Sequence, residues 1–356
     1  MKLLNETIKG IECLNEENMQ RKERELNSLL KTPKGLGKLE DLAIQLEGIS
    51  TNYIPHKKVV LVMAADNGVE VEGVSASKRV ITQYVVEAML NGNSSINSLA
   101  ETFNAEVKVV DLGIDTDKEM TGIINKKIMK NGTENIRLKE AMTREETIRA
   151  IEAGIEVTEK LINEGYNLFA LGEMGIGNTT TSSAVLKVIT DISLDEIVGK
   201  GSGINNETLT HKKNVISDSI KLNNPDKFDP IDIISKVGGL DIAAMTGAFL
   251  GCAKNRIPVI IDGLISGVSA ILAYNLSKQS KNYMIPSHLS AEPGMKWIMK
   301  ELNLEPVFLM NMKLGEGSGA ILMFPFIEAA CNITKDVRLY PNVWKRNFKY
   351  LLCETW

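Results

Sequence analysis

Short apolar runs alternate with amphipathic stretches along most of this chain, and that alternation predicts strands interleaved with helices. Residues 1–50 read as helical, with Leu26, Leu29 and Leu30 at i, i+3 and i+4. Pro33, Gly35 and Gly37 interrupt the pattern, and residues 39–46 resume it. No strand candidate precedes Lys58, so this region is expected to be a helical subdomain or arm. The run Val59-Val-Leu-Val-Met-Ala64 then reads as a buried strand ending at Asp66-Asn67-Gly68. Helices are predicted over 82–90 and 95–103, a second strand over 107–110 ending at Asp111, and a long helix over 144–164. A third strand over 167–171 ends at Gly172-Glu173, followed by a helix over 180–189. Further strands are expected at 258–261, ending at Asp262-Gly263, and at 283–285, with a last one near 307–310 leading toward Glu316. Helices over 241–253 and 264–274 separate them, and 320–331 reads as helical before a charged tail.

Strands alternating with helices imply an α/β fold with a parallel sheet and right-handed crossovers. Runs that are apolar throughout fit strands covered on both faces. The expected division is a large α/β domain over 57–319 and a small helical domain built from 1–56 plus 320–356. No fixed-period repeat or low-complexity tract is visible.

Composition narrows the class of function. The chain has 356 residues, 44% hydrophobic and 24% charged, as in ordinary globular proteins with a sizeable core. A formal net charge of −4 argues against general nucleic-acid binding, which needs a basic face. Cys13, Cys252, Cys331 and Cys353 are widely spaced and read as free thiols of a reducing compartment. His56, His211 and His288 are scattered, so no zinc-ligand spacing appears and no metal is expected. The opening Met-Lys-Leu-Leu-Asn-Glu-Thr lacks the apolar core of a signal peptide, and no apolar run reaches membrane-spanning length. A cytoplasmic protein without membrane association is the expectation.

The sharpest chemical signal is a repeated tripeptide. Leu171-Gly172-Glu173 opens Leu-Gly-Glu-Met-Gly-Ile-Gly-Asn-Thr-Thr-Thr, and Leu314-Gly315-Glu316 opens Leu-Gly-Glu-Gly-Ser-Gly-Ala. Each glutamate reads as the junction between a strand and a helix start, where open α/β sheets bind ligands. Flanking glycines let a ligand approach the backbone. The segment from Gly172 through Gly175 and Gly177 matches neither G-x-G-x-x-G nor the lysine-bearing P-loop. Its plain reading is a tight turn; its sharper one is a helix N-terminus that holds phosphate or ribose with Asn178 and Thr179. Gly199-Lys-Gly-Ser-Gly203 can form a backbone nest for an anion, with Lys212 or Lys213 reaching a phosphate from the helix that follows. A lysine pair alone is more often a solvated face. Asp66, Asp111 and Asp262 end strands and read first as caps or turn formers; Asp262 can instead accept ribose hydroxyls. Taken singly, Ser75 and Gln83 read as a turn cap and a surface residue, and His288 as structural. Ser290 and Gly294 can complete an anion pocket.

Six segments in order resemble the nicotinate-nucleotide:dimethylbenzimidazole phosphoribosyltransferase family of cobalamin lower-ligand assembly. They are 72–76, 172–180, 199–203, 236–241, 287–294 and 314–320, within a likeness that runs from Pro33 to Pro325. The resemblance implies a Rossmann-like fold, a smaller helical part from both chain ends, and a homodimer. It also implies transfer of phosphoribose from nicotinate mononucleotide to an aromatic base, 5,6-dimethylbenzimidazole, with release of nicotinate and formation of α-ribazole 5′-phosphate. No cofactor is implied. Two departures stand out: Asn67 replaces the histidine common in the family's Asp-His-Gly, and Pro33-Lys-Gly-Leu-Gly37 replaces Pro-Gly-Ser-Leu-Gly. Asparagine cannot titrate, so a proton role there is removed.

The implied reaction explains the residue types. Nicotinate leaves from a cationic pyridinium and needs no general acid, whereas the acceptor loses an N–H proton and needs a base. Glu316 is the expected base, its pKa raised by an apolar pocket. Glu173 is expected to stabilise positive charge developing at C1′ or to order the ribose hydroxyls. Backbone groups near Gly175, Gly177 and Gly203, with Lys212 and Ser290, are the expected phosphate donors. Ser75 and Gln83 are implied by the likeness to line the benzimidazole pocket, and Leu314 and Gly315 to touch substrate. Rival readings are the same transfer to another benzimidazole, a purine or a phenol, and a non-catalytic sensor of nicotinate mononucleotide. An NAD-dependent dehydrogenase is disfavoured by the missing fingerprint.

Overall fold

A computed structural model describes residues 1–335, Val337 and Leu339. Cys353 and the rest of the charged tail lie outside the described residues. The strands are β1 Lys58–Ala65, β2 Glu106–Gly113, β3 Ile124–Asn125, β4 Leu168–Met174, β5 Val259–Ile261 and β6 Met284–Pro286. They form one parallel sheet in the order β3-β2-β1-β4-β5-β6. That is a Rossmann-like order. The chain runs outward from β1 through β2 to β3, then returns to the other side of β1 and runs outward through β4, β5 and β6, and this reversal between β1 and β4 opens a crevice at their carboxyl ends. Every residue of β1 and of β4 is buried, which is why both read as continuous apolar runs.

Two compact units make up the chain. The larger contains residues 1–13 and 56–324, and the smaller contains 14–55 and the described residues from 325 on, so the first helix groups with the sheet. That helix, α1 Lys2–Lys9, buries Leu4 and Thr7. In the smaller unit, α2 Glu16–Ser28 is capped by Asn15, whose side chain accepts the Asn18 N–H, and it packs on α3 Lys38–Ile49. Arg21 pairs with Glu47, and Lys31 with Glu40 at 2.8 Å.

Within the larger unit, α4 Val80–Leu90 and α5 Ser95–Thr102 link β1 to β2, and α6 Arg144–Asn163 leads into β4. Thr143 and Glu146 close a capping box that starts α6. Helices α7 Asn178–Thr190, α8 Leu194–Ile197, α9 Asn206–Asn223, α10 Pro230–Val237 and α11 Leu240–Lys254 lie between β4 and β5. Helix α11 is buried from Leu240 to Ala253, which accounts for its lack of an amphipathic stripe. It crosses α6 at Gly154 and Gly247, each set against a carbonyl of the other helix. Helices α12 Leu264–Leu276 and α13 Met295–Leu302 flank β6 in sequence, and α14 Phe324–Asn332 belongs to the smaller unit from Pro325 on.

Two expectations are corrected. Residues 307–310 are not a strand. They pair with the chain after β6 only around a single bridge, His288 to Phe308, where Val307 and Phe308 donate to the Ser287 carbonyl and Leu289 donates to the Phe308 carbonyl. Pro306 has no N–H to extend that ladder, and Asn311 turns away in the left-handed region at φ 53°, leaving Leu309 and Met310 exposed. Glu316 is therefore not a strand end, and it does not open a helix. It sits in a loop. Conversely β3, only two residues long, gave no periodic signal.

Candidate active site

The crevice at the carboxyl ends of β1, β4 and β5 holds a cavity of about 350 Å³. Its wall begins where β4 runs into α7. Gly175 lies on the carbonyl of Ala65, where a β-carbon would overlap the oxygen. Gly177 is left-handed at φ 97° and starts α7 with no side-chain cap. Helix α7 therefore points its positive end into the cavity, flanked by Asn178 and Thr179. Buried Thr82 braces the turn. Its hydroxyl donates to Asp66 Oδ1 at 2.6 Å and accepts the Ile176 N–H at 3.1 Å.

The opposite wall is the loop that carries Glu316. Gly315, Glu316 and Gly317 are all left-handed, at φ 83°, 62° and 82°. A non-glycine residue there is strained and needs support from its surroundings. Asp262, at the end of β5, supplies it. Its carboxylate accepts the N–H groups of Gly317 at 3.2 Å, Gly319 at 2.7 Å and Ala320 at 2.8 Å. Gly172 lies against the Glu316 backbone and Gly319 against the His288 ring, with no room for a β-carbon at either glycine. His288 contacts Ser287 Oγ at 3.0 Å and stacks on Phe308. Burial pulls its pKa down to about 4, so the ring is neutral at physiological pH.

Glu173 faces this loop, and a β-carbon at Gly315 would overlap its Oε1. The Asn178 amide donates both to Glu173 Oε2 and, at 3.1 Å, to Asp241 Oδ2. Burial, then the charges of Asp241, Asp262 and Glu316, push Glu173 up to about 8 despite the Asn178 hydrogen bond. Burial and Asp262 raise Glu316 to about 7. Burial likewise raises Asp66, Asp241 and Asp262 to about 6. The site thus concentrates carboxylates that hold protons near neutrality, the condition for proton transfer and for charge stabilisation.

Of the residues singled out from sequence, Ser75, Glu173, Gly175, Gly177, Asn178, Thr179, Asp262, Ser290, Leu314, Gly315 and Glu316 line this one cavity. Gln83, Gly203 and Lys212 do not. Gln83 donates to Glu87 along α4 at 2.6 Å. Gly203 is exposed at its loop tip. Lys212 is buried behind Thr179, its Nζ donating to Thr179 Oγ1 at 2.9 Å and to the Gly199 carbonyl at 3.4 Å. Burial lowers its pKa to about 8, against the opposing pull of Glu292. Asp262 is spent on the Glu316 loop, so its first reading as a turn former describes its contacts. Sequence reasoning gave no role to Asp241, Glu292 or Ser202. Asp241 and Glu292 stand inside segments 236–241 and 287–294, and that placement was the available signal.

Comparison with known proteins agrees with this architecture. A family described as Phosphoribosyltransferase matches residues 11–341. The nicotinate-nucleotide–dimethylbenzimidazole phosphoribosyltransferase of Ruminiclostridium cellulolyticum is 47% identical over 327 residues, covering 91% of this chain and 93% of that protein. Its counterpart in Clostridium acetobutylicum is 46% identical over 325 residues, covering 91% and 92%. The crystal structure of CobT from Thermus thermophilus superposes with a TM-score of 0.87 at 31% identity, covering 91% of this chain and 97% of that one.

The raised carboxylates have a stability consequence. A folded-state pKa of about 8 for Glu173, against an ordinary value of 4.5, means that the ionised form opposes folding. Its penalty is absent below the unfolded value and grows as pH rises toward the folded one. Glu173→Gln is therefore expected to stabilise the protein near pH 8 by at least ~1.4 kcal/mol, the equivalent of one pKa unit, and to change little near pH 5. Urea unfolding at both pH values measures this, and destabilisation at the higher pH would contradict it.

Proposed function

The chain belongs to this phosphoribosyltransferase family, and on that premise we propose how its site works. The enzyme transfers the phosphoribosyl group of nicotinate mononucleotide to 5,6-dimethylbenzimidazole in cobalamin biosynthesis, forming α-ribazole 5′-phosphate and nicotinate. The observation that carries the site reading is the pair Glu173 and Glu316, both lining one cavity beside a helix N-terminus that no side chain caps.

A ring nitrogen of the acceptor forms the new bond to C1′ as the bond from C1′ to the pyridinium nitrogen breaks. The leaving nicotinate keeps that electron pair, which neutralises its ring. The acceptor's N–H proton passes to Glu316, whose raised pKa makes it a competent base near neutrality. Glu173 faces the positive charge that builds at C1′. Burial makes its carboxylate resist ionisation, and the cationic pyridinium of the donor favours the ionised form. The 5′-phosphate is assigned to the α7 N-terminus, with Ser290 and Ser202 at the cavity wall and the Lys212 charge acting from behind Thr179. Ser75 and Leu314 are assigned to the acceptor end. Gln83 is assigned to the same end only if it leaves Glu87. The sensor reading is not favoured, since the relatives are named as transferases.

Glu316→Gln is expected to fold normally and to lower kcat by ~10²–10⁴-fold, the usual worth of a general base. In the wild-type enzyme, kcat/KM should fall as pH drops through about 7, where Glu316 takes up its proton. Near-normal turnover of Glu316→Gln in a nicotinate-release assay would remove Glu316 from the role.

We also propose a cytoplasmic homodimer. No helix among the described residues is long and apolar enough to cross a membrane. Light scattering is expected to give twice the chain mass of 39.2 kDa, and the single-chain mass would refute the dimer.

A further inference from the structure

Glu292 is a buried carboxylate with a hydrogen bond at only one of its two oxygens. Oε1 accepts the Gly201 N–H at 3.1 Å, while Oε2 is buried with no hydrogen-bond partner. The carboxylate packs on Gly199, where a β-carbon would overlap it. Lys212 holds the other end of the same short segment through the Gly199 carbonyl at 3.4 Å. Lys212 and Glu292 are only 1% and 7% exposed. Two buried, opposite charges thus grip residues 199–201 from its two ends. Gly201 is left-handed at φ 52°, and Gly201 and Ser202 line the cavity together with the first residues of α7.

A carboxylate at the rim of an anion pocket repels the anion. Its presence calls for a purpose other than contact with that anion. We propose that Glu292 is a positioning residue that latches the 199–202 loop so that Ser202 and the loop backbone face the donor's 5′-phosphate. The inference rests on the assignment of that phosphate to the α7 N-terminus. Glu292 does not touch the reacting atoms. It acts through the Gly201 N–H, so its acceptor oxygen matters for the latch and its charge does not. Removing the oxygen releases the loop. Removing only the charge keeps the latch and relieves the repulsion.

The test compares Glu292→Ala and Glu292→Gln in the full chain, with nicotinate mononucleotide and with nicotinate riboside, which lacks the phosphate, as donors. Glu292→Ala is expected to raise the mononucleotide KM about tenfold or more, with kcat, the acceptor KM and riboside kcat/KM within about threefold of wild type. Glu292→Gln, which keeps an acceptor oxygen, should show a mononucleotide KM equal to or below wild type. An unchanged mononucleotide KM in Glu292→Ala overturns the proposal, as does an equal loss on both donors, the mark of general damage. If Glu292→Ala does not fold, Glu292→Asp, whose shorter side chain withdraws from Gly201, must show the same split between donors, and an equal loss on both overturns the proposal. A wild-type enzyme that uses riboside as well as mononucleotide would instead refute the phosphate assignment itself.

Discussion

The grip of Asp262 on the Glu316 loop is the interaction on which the site depends. Three consecutive left-handed residues are not a conformation that a free chain holds, and Glu316 has a β-carbon that resists it. Three backbone N–H groups converging on one buried carboxylate hold the loop there. Loss of a partner from any one buried N–H costs ~1–3 kcal/mol, so the three together can outweigh the backbone strain. The glycines on either side of Glu316 follow from the same constraint. Gly315 makes room for Glu173, and Gly317 lies close to Val60 on β1. Val60 of β1, Gly172 and Glu173 of β4 and Asp262 after β5 thus all meet one loop, the loop that carries Glu316.

The arrangement works against stability and in favour of chemistry. Asp66, Glu173, Asp241, Asp262 and Glu316 are all raised above their ordinary values, with burial the largest cause in each. Near neutrality such groups oppose folding, so the surrounding core must offset them. That core is extensive: β1, β4 and α11 are buried along nearly their whole length. The same desolvation that costs stability makes Glu316 basic enough to take a proton and lets Glu173 respond to a cationic ligand.

Much of this was legible in the sequence, for a physical reason. Strands buried on both faces must be apolar at every position, so β1 and β4 announce themselves without any partner in view. The glycines near Glu173 marked a tight turn because little else fits on the Ala65 carbonyl. What was hidden depends on pairing between distant segments. Asn178 meets Asp241 63 residues away, and Glu292 meets Gly201 91 residues away. Neither pairing leaves a local pattern. Residues 307–310 looked like a strand because strand propensity says nothing of whether an edge has a ladder to join. The expectation that Lys212 donates to the phosphate rests on sequence order, which cannot tell a side chain that reaches a pocket from one that stands behind it.

Glu316, in the loop that Asp262 holds, is the group proposed to take the acceptor's proton. A crystal structure of the enzyme with 5,6-dimethylbenzimidazole bound tests it most directly. A ring nitrogen of the acceptor is expected about 2.6–3.2 Å from the Glu316 carboxylate, within hydrogen-bond reach, with the Asp262 contacts to Gly317, Gly319 and Ala320 intact. An acceptor ring whose nitrogens both point away from Glu316, with that carboxylate turned out of the cavity, would contradict it.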